Sequence, residues 1–365
     1  MRIALIILAL IHGLIHLFGF LKAFGLSSFN AISQPISKQT GLLWLTAFLL
    51  LVIASILLIL RKPNWVWFAT SAVVISQILI LLYWKDAKFG TLLNIILVVA
   101  IIPTFASRHF KNKISDERNL MKSEILTSAI ETASEGQIDS LPEPVNRWLL
   151  KSGVKSSDII RDVKLTQEIL LRMKPEQKDW QQGEADQYFT TNPPAFNWEI
   201  DIPMFPGINA HGRDKFTHGK GQMTIKLASL IPVVNEKNNF KINQASLQRY
   251  LAEIAWFPSA ALSSNIQWEA IDENSAKATM TYMGTEGTGK FYFNEDGSFQ
   301  KFVAMRYKGV SEESIPVEWT VRALKSEERN GRFIPTELEA DWKIDGENWT
   351  WLKLKIIDIE YNPQE

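Results

Sequence analysis

"GKFYFNEDGSFQKFVAMRY", residues 289–307, contains two runs of alternating bulky and polar side chains on either side of an Asp-Gly pair. Alternation with a period of two predicts β-strands that bury one face. Asp296-Gly297 suits the backbone of a short turn between two such strands. The stretch therefore predicts a β-hairpin, and repetition of this pattern decides the fold of the rest of the chain.

Comparable strand-like segments extend from about residue 158 to residue 361. They are VKLTQEILLRM (163–173), DQYFTTN (186–192), AFNWEIDI (195–202), GQMTIKLASL (221–230), NIQWEAID (265–272), KATMTYMG (277–284), VEWTVRALK (317–325), FIPTELEADWKI (333–344) and WTWLKLKIIDIEY (349–361). Asn330-Gly331 and Asp345-Gly346 are further hairpin signals, and strands joined by short turns are antiparallel neighbours. We predict an α+β domain with ten or eleven strands in a large antiparallel sheet. One principal helix, around residues 244–256, packs on it, and a sheet of this size must curl, here into a half-barrel.

The inner face of the predicted sheet is rich in aromatic side chains. The chain has 13 Trp and 20 Phe. The bulky positions expected to share one face are Phe196, Trp198, Trp268, Tyr282, Phe291, Phe293, Trp319, Trp342, Trp349 and Trp351. These rings either fill the interior of the curled sheet or line an apolar groove that is open on one side.

The N-terminal third has a different composition. Four apolar runs, at about residues 3–21, 42–60, 65–84 and 91–106, predict transmembrane helices, since about 20 apolar residues cross a hydrocarbon core of about 30 Å. Aromatic residues at both ends of the third run are typical of membrane interfaces. We therefore predict three parts: a four-helix transmembrane domain (1–106), an amphipathic connecting helix (107–140) and a β-rich soluble domain (141–365).

Lysine and arginine in the flanks of the spans predict the orientation. With both termini inside, the inner flanks hold Arg2, Arg61, Lys62, Arg108, Lys111 and Lys113, and the outer loops hold Lys22, Lys38, Lys85 and Lys88. The positive-inside rule then predicts a multi-pass membrane protein with its soluble domain in the cytoplasm.

Polar side chains within the spans, together with Asp86 and Lys88 at a membrane boundary, suggest a second point of interest. They are His12, His16, Gln77, Asp86, Lys88 and Asn94. His12 and His16 lie four residues apart and so share a helix face. The alternatives are hydrogen bonds that hold the helices together, a small polar site, or imidazole ligands for haem or a metal. The last is the weakest, because no other span contains a histidine.

The helix in "SLQRYLAEIAWFP" (246–258) carries two different faces. Leu247, Tyr250, Leu251 and Ile254 form an apolar stripe, whereas Arg249, Glu253 and Trp256 lie on the other side. The second face is exposed with an incidental ion pair, is covered by other parts of the domain, or lines a ligand site.

The segment "HGRDKFTHGKGQ" (211–222) also combines charge with glycine. If it is a strand, the adjacent Arg213 and Asp214 point to opposite faces. We consider a structural ion-pair network, with Arg213 bound to Glu253 or Asp214 to Arg249, an anion-binding loop, and acid–base catalysis. No nucleotide-binding spacing is present.

Composition excludes several classes of function. Acidic and basic residues are equal in number, at 39 each, which argues against a nucleic-acid binder. The chain has no cysteine, which excludes disulfides, thiolate metal sites and cysteine nucleophiles. We predict no cofactor and no metal site.

Four segments together resemble a bacterial membrane-protein family that has a domain of unknown function. They are LPEPVNRWLLKSGV (141–154), PPAFNWEIDI (193–202), GRDKFTHGKGQMTIKLASLIPVV (212–234) and SLQRYLAEIAWFP (246–258). The pattern from Asn192 to Trp198 also resembles one strand of LolA/LolB-type lipoprotein carriers. That resemblance implies an incomplete barrel, covered by helices, whose apolar interior holds acyl chains.

Three functions remain. The first is a membrane-anchored protein that binds an apolar or lipid-like ligand through Phe196, Trp198, Arg213, Asp214, Arg249, Glu253, Trp256 and Trp268. The second is a structural or assembly protein whose sheet interior is filled. The third is an enzyme that uses Arg213, Asp214, Arg249 and Glu253, although no catalytic signature supports it. The predicted partners are the lipid bilayer and a lipid or acylated ligand.

Overall fold

The computed structural model describes residues 2–27, 32–127, 138–155, 160–205 and 207–363, with side chains at 126 and 127 left out of the description. The chain forms two compact units, Met1–Phe110 and Lys111–Glu365.

The first unit is a bundle of apolar helices. Its helices are α1 (Arg2–Ala23), α2 (Lys38–Ile59), α3 (Trp65–Leu82), the short α4 (Trp84–Ala87) and the beginning of α5 (Gly90–Thr127). In the described chain, four of them are long and apolar enough to cross a membrane. Gly19 of α1 allows close packing, because a Cβ atom there would lie 2.3 Å from the Trp44 ring.

Helix α5 differs from the sequence-based prediction. It passes through Pro103 without interruption and is described as far as Thr127, so the fourth span and the beginning of the connecting segment are one helix. Within the predicted amphipathic connecting helix (107–140), Leu120 is exposed and Met121 is buried. Residues 128–137 of that predicted helix lie outside the described residues.

Among its described residues, the second unit contains one antiparallel sheet and two α-helices besides the end of α5. The helices are α6 (Glu143–Lys151) and α7 (Phe240–Glu253), and two 3₁₀ turns, Ile254–Trp256 and Pro258–Leu262, follow α7. The strands are β1 (Asp162–Leu171), β2 (Gln181–Thr190), β3 (Ala195–Phe205), β4 (Ile208–Thr217), β5 (Lys220–Leu227), β6 (Ile231–Lys237), β7 (Ile266–Asp272), β8 (Ser275–Tyr282), β9 (Thr285–Phe293), β10 (Phe299–Tyr307), β11 (Pro316–Arg329), β12 (Arg332–Ile344) and β13 (Glu347–Tyr361).

The strand order is β6-β5-β4-β3-β2-β1-β13-β12-β11-β10-β9-β8-β7. Two meanders are therefore joined where β1 pairs with β13. The predicted hairpins are confirmed: Asn330-Gly331 and Asp345-Gly346 both have positive φ at each residue, as a type I′ turn requires, and β9 and β10 join around Gly297. The sequence missed β4, whose charged residues obscure alternation, and β6, an edge strand that contains a proline.

The sheet curls into the predicted half-barrel, and α7 closes the gap between its two ends. Helix α7 contacts β4 and β5 at one end of the strand order and β8, β9 and β10 at the other. The hydroxyl of Thr285 donates to the carbonyl of Gly219 (2.7 Å), so the turns at the two ends also meet. The predicted apolar stripe of α7 and the turn after it is buried in the main core.

Candidate functional site

A cavity of about 450 Å³ lies between α7 and the concave face of the sheet. Most of its lining is apolar. The aromatic residues around it are Trp198, Trp256, Tyr307, Trp319, Trp342, Trp349 and Trp351, and the aliphatic ones include Ile169, Leu171, Ile200, Ile202, Ile225, Leu338 and Leu354. The aromatic interior is thus partly packed and partly open.

Packing on the opposite side of α7 explains why the rings do not fill the whole interior. The main core gathers Phe189, Phe196, Phe216, Phe257 and Tyr250 against one another. The hydroxyl of Tyr250 donates to the carbonyl of Thr190 at 3.0 Å. These contacts hold the apolar face of α7 away from the cavity, and the charged face of the helix lies towards it.

Three charged residues form a buried triad on the cavity wall. Arg249 donates from Nη1 to Asp214 Oδ2 (2.7 Å) and from Nε to Glu253 Oε1 (2.8 Å). The three side chains are 16, 9 and 12% exposed for Arg249, Asp214 and Glu253. The Arg249 guanidinium also lies 4.8 Å from the ring centre of Trp198. Of the two ion pairs considered from the sequence, the structure therefore contains the one between Asp214 and Arg249.

Two members of the triad, Glu253 and Arg249, have shifted pKa values. Burial raises the pKa of Glu253 above its usual range, although Arg249 and the hydrogen bond from Gln187 act in the opposite direction. Burial lowers the pKa of Arg249, but the carboxylates of Glu253 and Asp214 outweigh it, and the net change is upward. Arg249 therefore stays charged, and its positive charge compensates the buried carboxylates of Asp214 and Glu253.

A chain of polar side chains extends the triad across the sheet. Gln187 Nε2 donates to Glu253 Oε2 (2.9 Å), Gln167 Nε2 donates to Gln187 Oε1 (3.4 Å), and Trp198 Nε1 donates to Gln167 Oε1 (3.0 Å). Each member thus finds a partner inside the barrel, as buried polar groups generally do. Sequence reasoning missed both glutamines, whose inward positions follow from the period-two pattern of β1 and β2.

Arg213 is not part of this triad. As predicted for neighbours in a strand, it and Asp214 serve opposite faces of the sheet. Arg213 bonds to Glu117 of α5, which also binds Lys215 (3.2 Å) and accepts from Asn197 Nδ2 (3.0 Å). The predicted alternative of an Arg213–Glu253 pair is therefore wrong, because Glu117 reaches the outer face of β3 and β4.

The segment 211–222 forms most of the hairpin of β4 and β5. Its glycines allow close packing: a Cβ at Gly221 would lie 2.4 Å from Ser246 Oγ of α7, and one at Gly219 would lie 2.9 Å from the carbonyl oxygen of Tyr282. Gly219 also has a φ of 71°, which suits a residue without a side chain.

The model of a family of unknown function, DUF6920, matches residues 139–361. The chain belongs to this family. The match covers α6, α7 and all strands, and hence every cavity-lining residue, and it is consistent with the resemblance drawn from the sequence. No curated protein matches the chain. Residues 139–361 are called the DUF6920 domain below.

Two predicted ligand contacts lie elsewhere in the DUF6920 domain. Phe196 is fully buried in the main core, 6.4 Å from Phe216 between ring centres. Trp268 packs against Trp148 and Phe291 and donates to the carbonyl of Ala261 (2.9 Å). Within the described chain, five of the other predicted residues, Trp198, Asp214, Arg249, Glu253 and Trp256, line the cavity together. The sixth, Arg213, borders it through the strand β4, but its side chain binds Glu117 on the outer face.

Arg306 and Lys308 of the cavity lining were not singled out from the sequence. A signal was available, because Phe302 and Ala304 are buried and a period of two places Arg306 on the same inward face of β10. A charged residue at an inward position of a strand is unusual and indicates either a buried pair or a ligand contact.

Outside the DUF6920 domain, the polar residues of the bundle form a separate network. Ser76 bonds to His12 (3.1 Å) and to His16 (2.8 Å), His12 bonds to Asn94 (2.9 Å), and Asn94 donates to Gln77 (3.0 Å). Two predicted members take other contacts: Asp86 accepts from Ser33, and Lys88 lies over the Phe89 ring. Among the described residues, no cluster of His, Asp or Glu has the composition of a metal site.

Proposed function

We propose that this chain is a membrane-anchored binding protein whose DUF6920 domain holds an apolar, lipid-like ligand. The cavity of about 450 Å³ carries this proposal. Small-molecule sites have volumes of roughly 300–1,000 Å³ and mostly apolar walls with a few polar groups. Protein interiors otherwise pack densely, and an empty apolar space is unfavourable. A purely structural sheet would be expected to fill it.

Rigid walls support a preformed site. Trp256 Nε1 donates to the carbonyl of Pro335 (3.1 Å), and the hydroxyl of Tyr361 donates to the carbonyl of Trp256 (2.7 Å). These bonds connect the end of α7 to β12 and β13. The triad and Tyr250 hold the rest of the helix, so a ligand would enter without having to order the cavity walls.

The resemblance to LolA/LolB-type carriers favours the same class of ligand. Those carriers hold acyl chains in an incomplete barrel that is covered by helices. In this chain, a curled sheet with α7 across its open side supports the proposal of a similar apolar interior. An acyl chain would fit the aliphatic side of the cavity, around Ile169, Ile200 and Leu354.

A cavity-blocking substitution tests the proposal. In the detergent-purified full chain, Ala210→Trp would place an indole at a lining position, and we expect at least a tenfold weaker affinity for the neutral fluorescent probe N-phenyl-1-naphthylamine, since apolar burial supplies most of such binding. Mass spectrometry of lipid extracts is expected to show lipid in the wild type and less in the variant.

Ala270→Trp is the matched control, because it introduces the same side chain at an exposed position of β7. Lipid associated with the membrane helices is common to all three proteins, so the difference between the variants reports on the cavity. Equal probe affinity in a folded Ala210→Trp protein, or a wild type that binds neither probe nor lipid, would contradict the proposal.

The membrane anchor is proposed to lie in the bacterial inner membrane with the DUF6920 domain in the cytoplasm, from the lysine and arginine distribution. A C-terminal green fluorescent protein fusion is then expected to fluoresce, and a C-terminal alkaline phosphatase fusion to be inactive. The same reporters fused after Leu26, beyond one span, are expected to give the reverse result. An active C-terminal phosphatase would place the domain on the other side.

A further inference from the structure

We infer that the ligand carries an anionic head group, and that Arg306 and Lys308 bind this group at one side of the cavity. The inference rests on the proposed function and specifies its ligand class as an amphiphile with an acidic end. It is carried by the charges that line the cavity and by the partners that they have.

The cavity lining includes six cationic and four acidic residues within the described chain, and the side chain of one of them, Arg213, turns to the outer face of β4. The cations are Arg172, Arg213, Lys241, Arg249, Arg306 and Lys308, and the acids are Asp214, Glu236, Glu253 and Glu339. Positive charge is therefore in excess around a largely apolar space.

Four of the six cations already have strong partners. Arg249 and Arg213 form the ion pairs described above. Lys241 Nζ donates to the carbonyls of Ser311 (2.6 Å), Glu312 (2.9 Å) and Ser314 (2.9 Å), and Arg172 Nε donates to the carbonyl of Thr350 (3.0 Å). These side chains hold the protein together and leave two cations to be explained.

Arg306 forms no ion pair with any carboxylate in the described part of the chain. Its Nε donates to the carbonyl of Ala245 in α7 (2.9 Å), and its guanidinium lies 4.5 Å from the ring centre of Trp319 and 5.6 Å from that of Trp342. A guanidinium has five N–H donors, and no acceptor for the other four is found among the described residues.

Lys308, an exposed residue directly after β10, places a second cation beside the tryptophans. Its Nζ lies 4.5 Å from the ring centre of Trp349, and the described residues provide no carboxylate partner for it either. Burial lowers the pKa of Lys308 and lowers that of Arg306 to about 10. Asp214 and Glu253 act on Arg306 only from beyond ion-pair distance, and they do not offset its burial.

The tryptophans around these two cations add unpaired donors. Trp342 pairs with Trp319 and with Trp349 in register, so the three indoles form a row across β11, β12 and β13. In the described structure, the indole nitrogens of Trp319, Trp349 and Trp351 are buried without an acceptor. The one cavity-lining acceptor in the same condition is Asp214 Oδ1, which belongs to the triad.

This side of the cavity therefore offers donors and positive charge and almost no acceptors. A carboxylate or a phosphate has the opposite chemistry, because it carries negative charge and only acceptor oxygens. The aliphatic side of the same cavity suits an alkyl chain. A fatty acid and a phosphate-bearing lysolipid share these features.

Competition against N-phenyl-1-naphthylamine with ligands of one chain length tests the inference. We expect palmitate to bind the full chain at least ten times more tightly than hexadecanol, since hydrogen bonds to charged groups are the stronger ones. Arg306→Gln and Lys308→Gln are each expected to weaken the affinity for palmitate about tenfold. The affinity for hexadecanol is expected to stay within about twofold of the wild-type value. Palmitoyl lysophosphatidate is the second arm, and whichever of the two binds more tightly identifies the head group as carboxylate or phosphate.

Lys301→Gln is the matched control, because it removes a cation from the outer face of β10, where Lys301 lies over Tyr292. Arg306→Lys is expected to restore part of the palmitate affinity, which a purely structural role of Arg306 would not predict. Equal affinities for palmitate and hexadecanol, with the probe still displaced, would overturn this inference and leave the proposed function standing. If neither palmitate nor hexadecanol displaced the probe, both the proposed function and this inference would be contradicted. If inorganic phosphate alone displaced the probe, the ligand would be a free anion and the inferred amphiphile would be wrong.

Discussion

Replacing Arg249 with methionine is expected to lower the free energy of unfolding by about 3–5 kcal/mol, because it leaves two buried carboxylates without their cation. Asp214 and Glu253 are 9 and 12% exposed, and both receive hydrogen bonds from this one guanidinium. For a domain of this size the thermal midpoint is expected to fall on the order of 10 °C, measured by tryptophan fluorescence of the detergent-purified chain.

Two comparisons isolate the charge effect. Arg329→Met removes an arginine that is 42% exposed, and it is expected to change stability by less than about 0.5 kcal/mol. Adding Asp214→Asn and Glu253→Gln to Arg249→Met removes the uncompensated charges, so most of the lost stability is expected to return. If Arg249→Met had the same thermal midpoint as the wild type, the triad would be hydrated and would contribute nothing to holding α7 in place.

Replacing Glu117 with leucine is expected to cost about 3 kcal/mol, since it strands the Arg213 guanidinium and the Lys215 ammonium group. Arg213 is 3% exposed and Lys215 is 14% exposed, and both bind Glu117. The amide of Asn197 also loses its acceptor. The effect is measured as the shift in thermal midpoint and as faster proteolysis of the second unit.

Asp116→Leu is the matched control, because it removes the neighbouring acid from an exposed position of the same helix. It is expected to leave the midpoint almost unchanged. If Glu117→Leu left the thermal midpoint as unchanged as Asp116→Leu, the end of α5 would not be held against the outer face of the sheet. Arg213 would then be hydrated by solvent at that face.

Local patterns were sufficient for most of the secondary structure. The two-residue turns at Asn330-Gly331 and Asp345-Gly346 require left-handed backbone at both positions, which these residues tolerate. Strand β4 was not predicted, because charged residues occur on both of its faces: Asp214 lies on the inner face, and Arg213 and Lys215 lie on the outer face. That outer set is buried only when α5 covers it, and no local window contains both elements.

The candidate site was predicted in part for the same reason. The two faces of the helix at 246–258 indicated that Arg249 and Glu253 meet a second environment, and both border the cavity. Phe196 and Trp268 were placed with them by residue type, yet they pack in the main core. An aromatic residue on the inner face of a curled sheet can serve either region, and only its position along the strand relative to α7 distinguishes the two.

The sequence by itself determined the apolar lengths that suit membrane spans, the antiparallel strands and the burial of one face of α7, because each depends on neighbouring residues or on a fixed period. The tertiary structure alone decided that Arg213 forms its ion pair with Glu117 and that Arg249 binds both Asp214 and Glu253. It also decided that Arg306 and Lys308 have no acidic partner among the described residues. These outcomes depend on strand register and on the curl of the sheet, which bring together side chains from distant parts of the chain. Charge pairing is a short-range interaction in space, and separation along the chain does not reveal it.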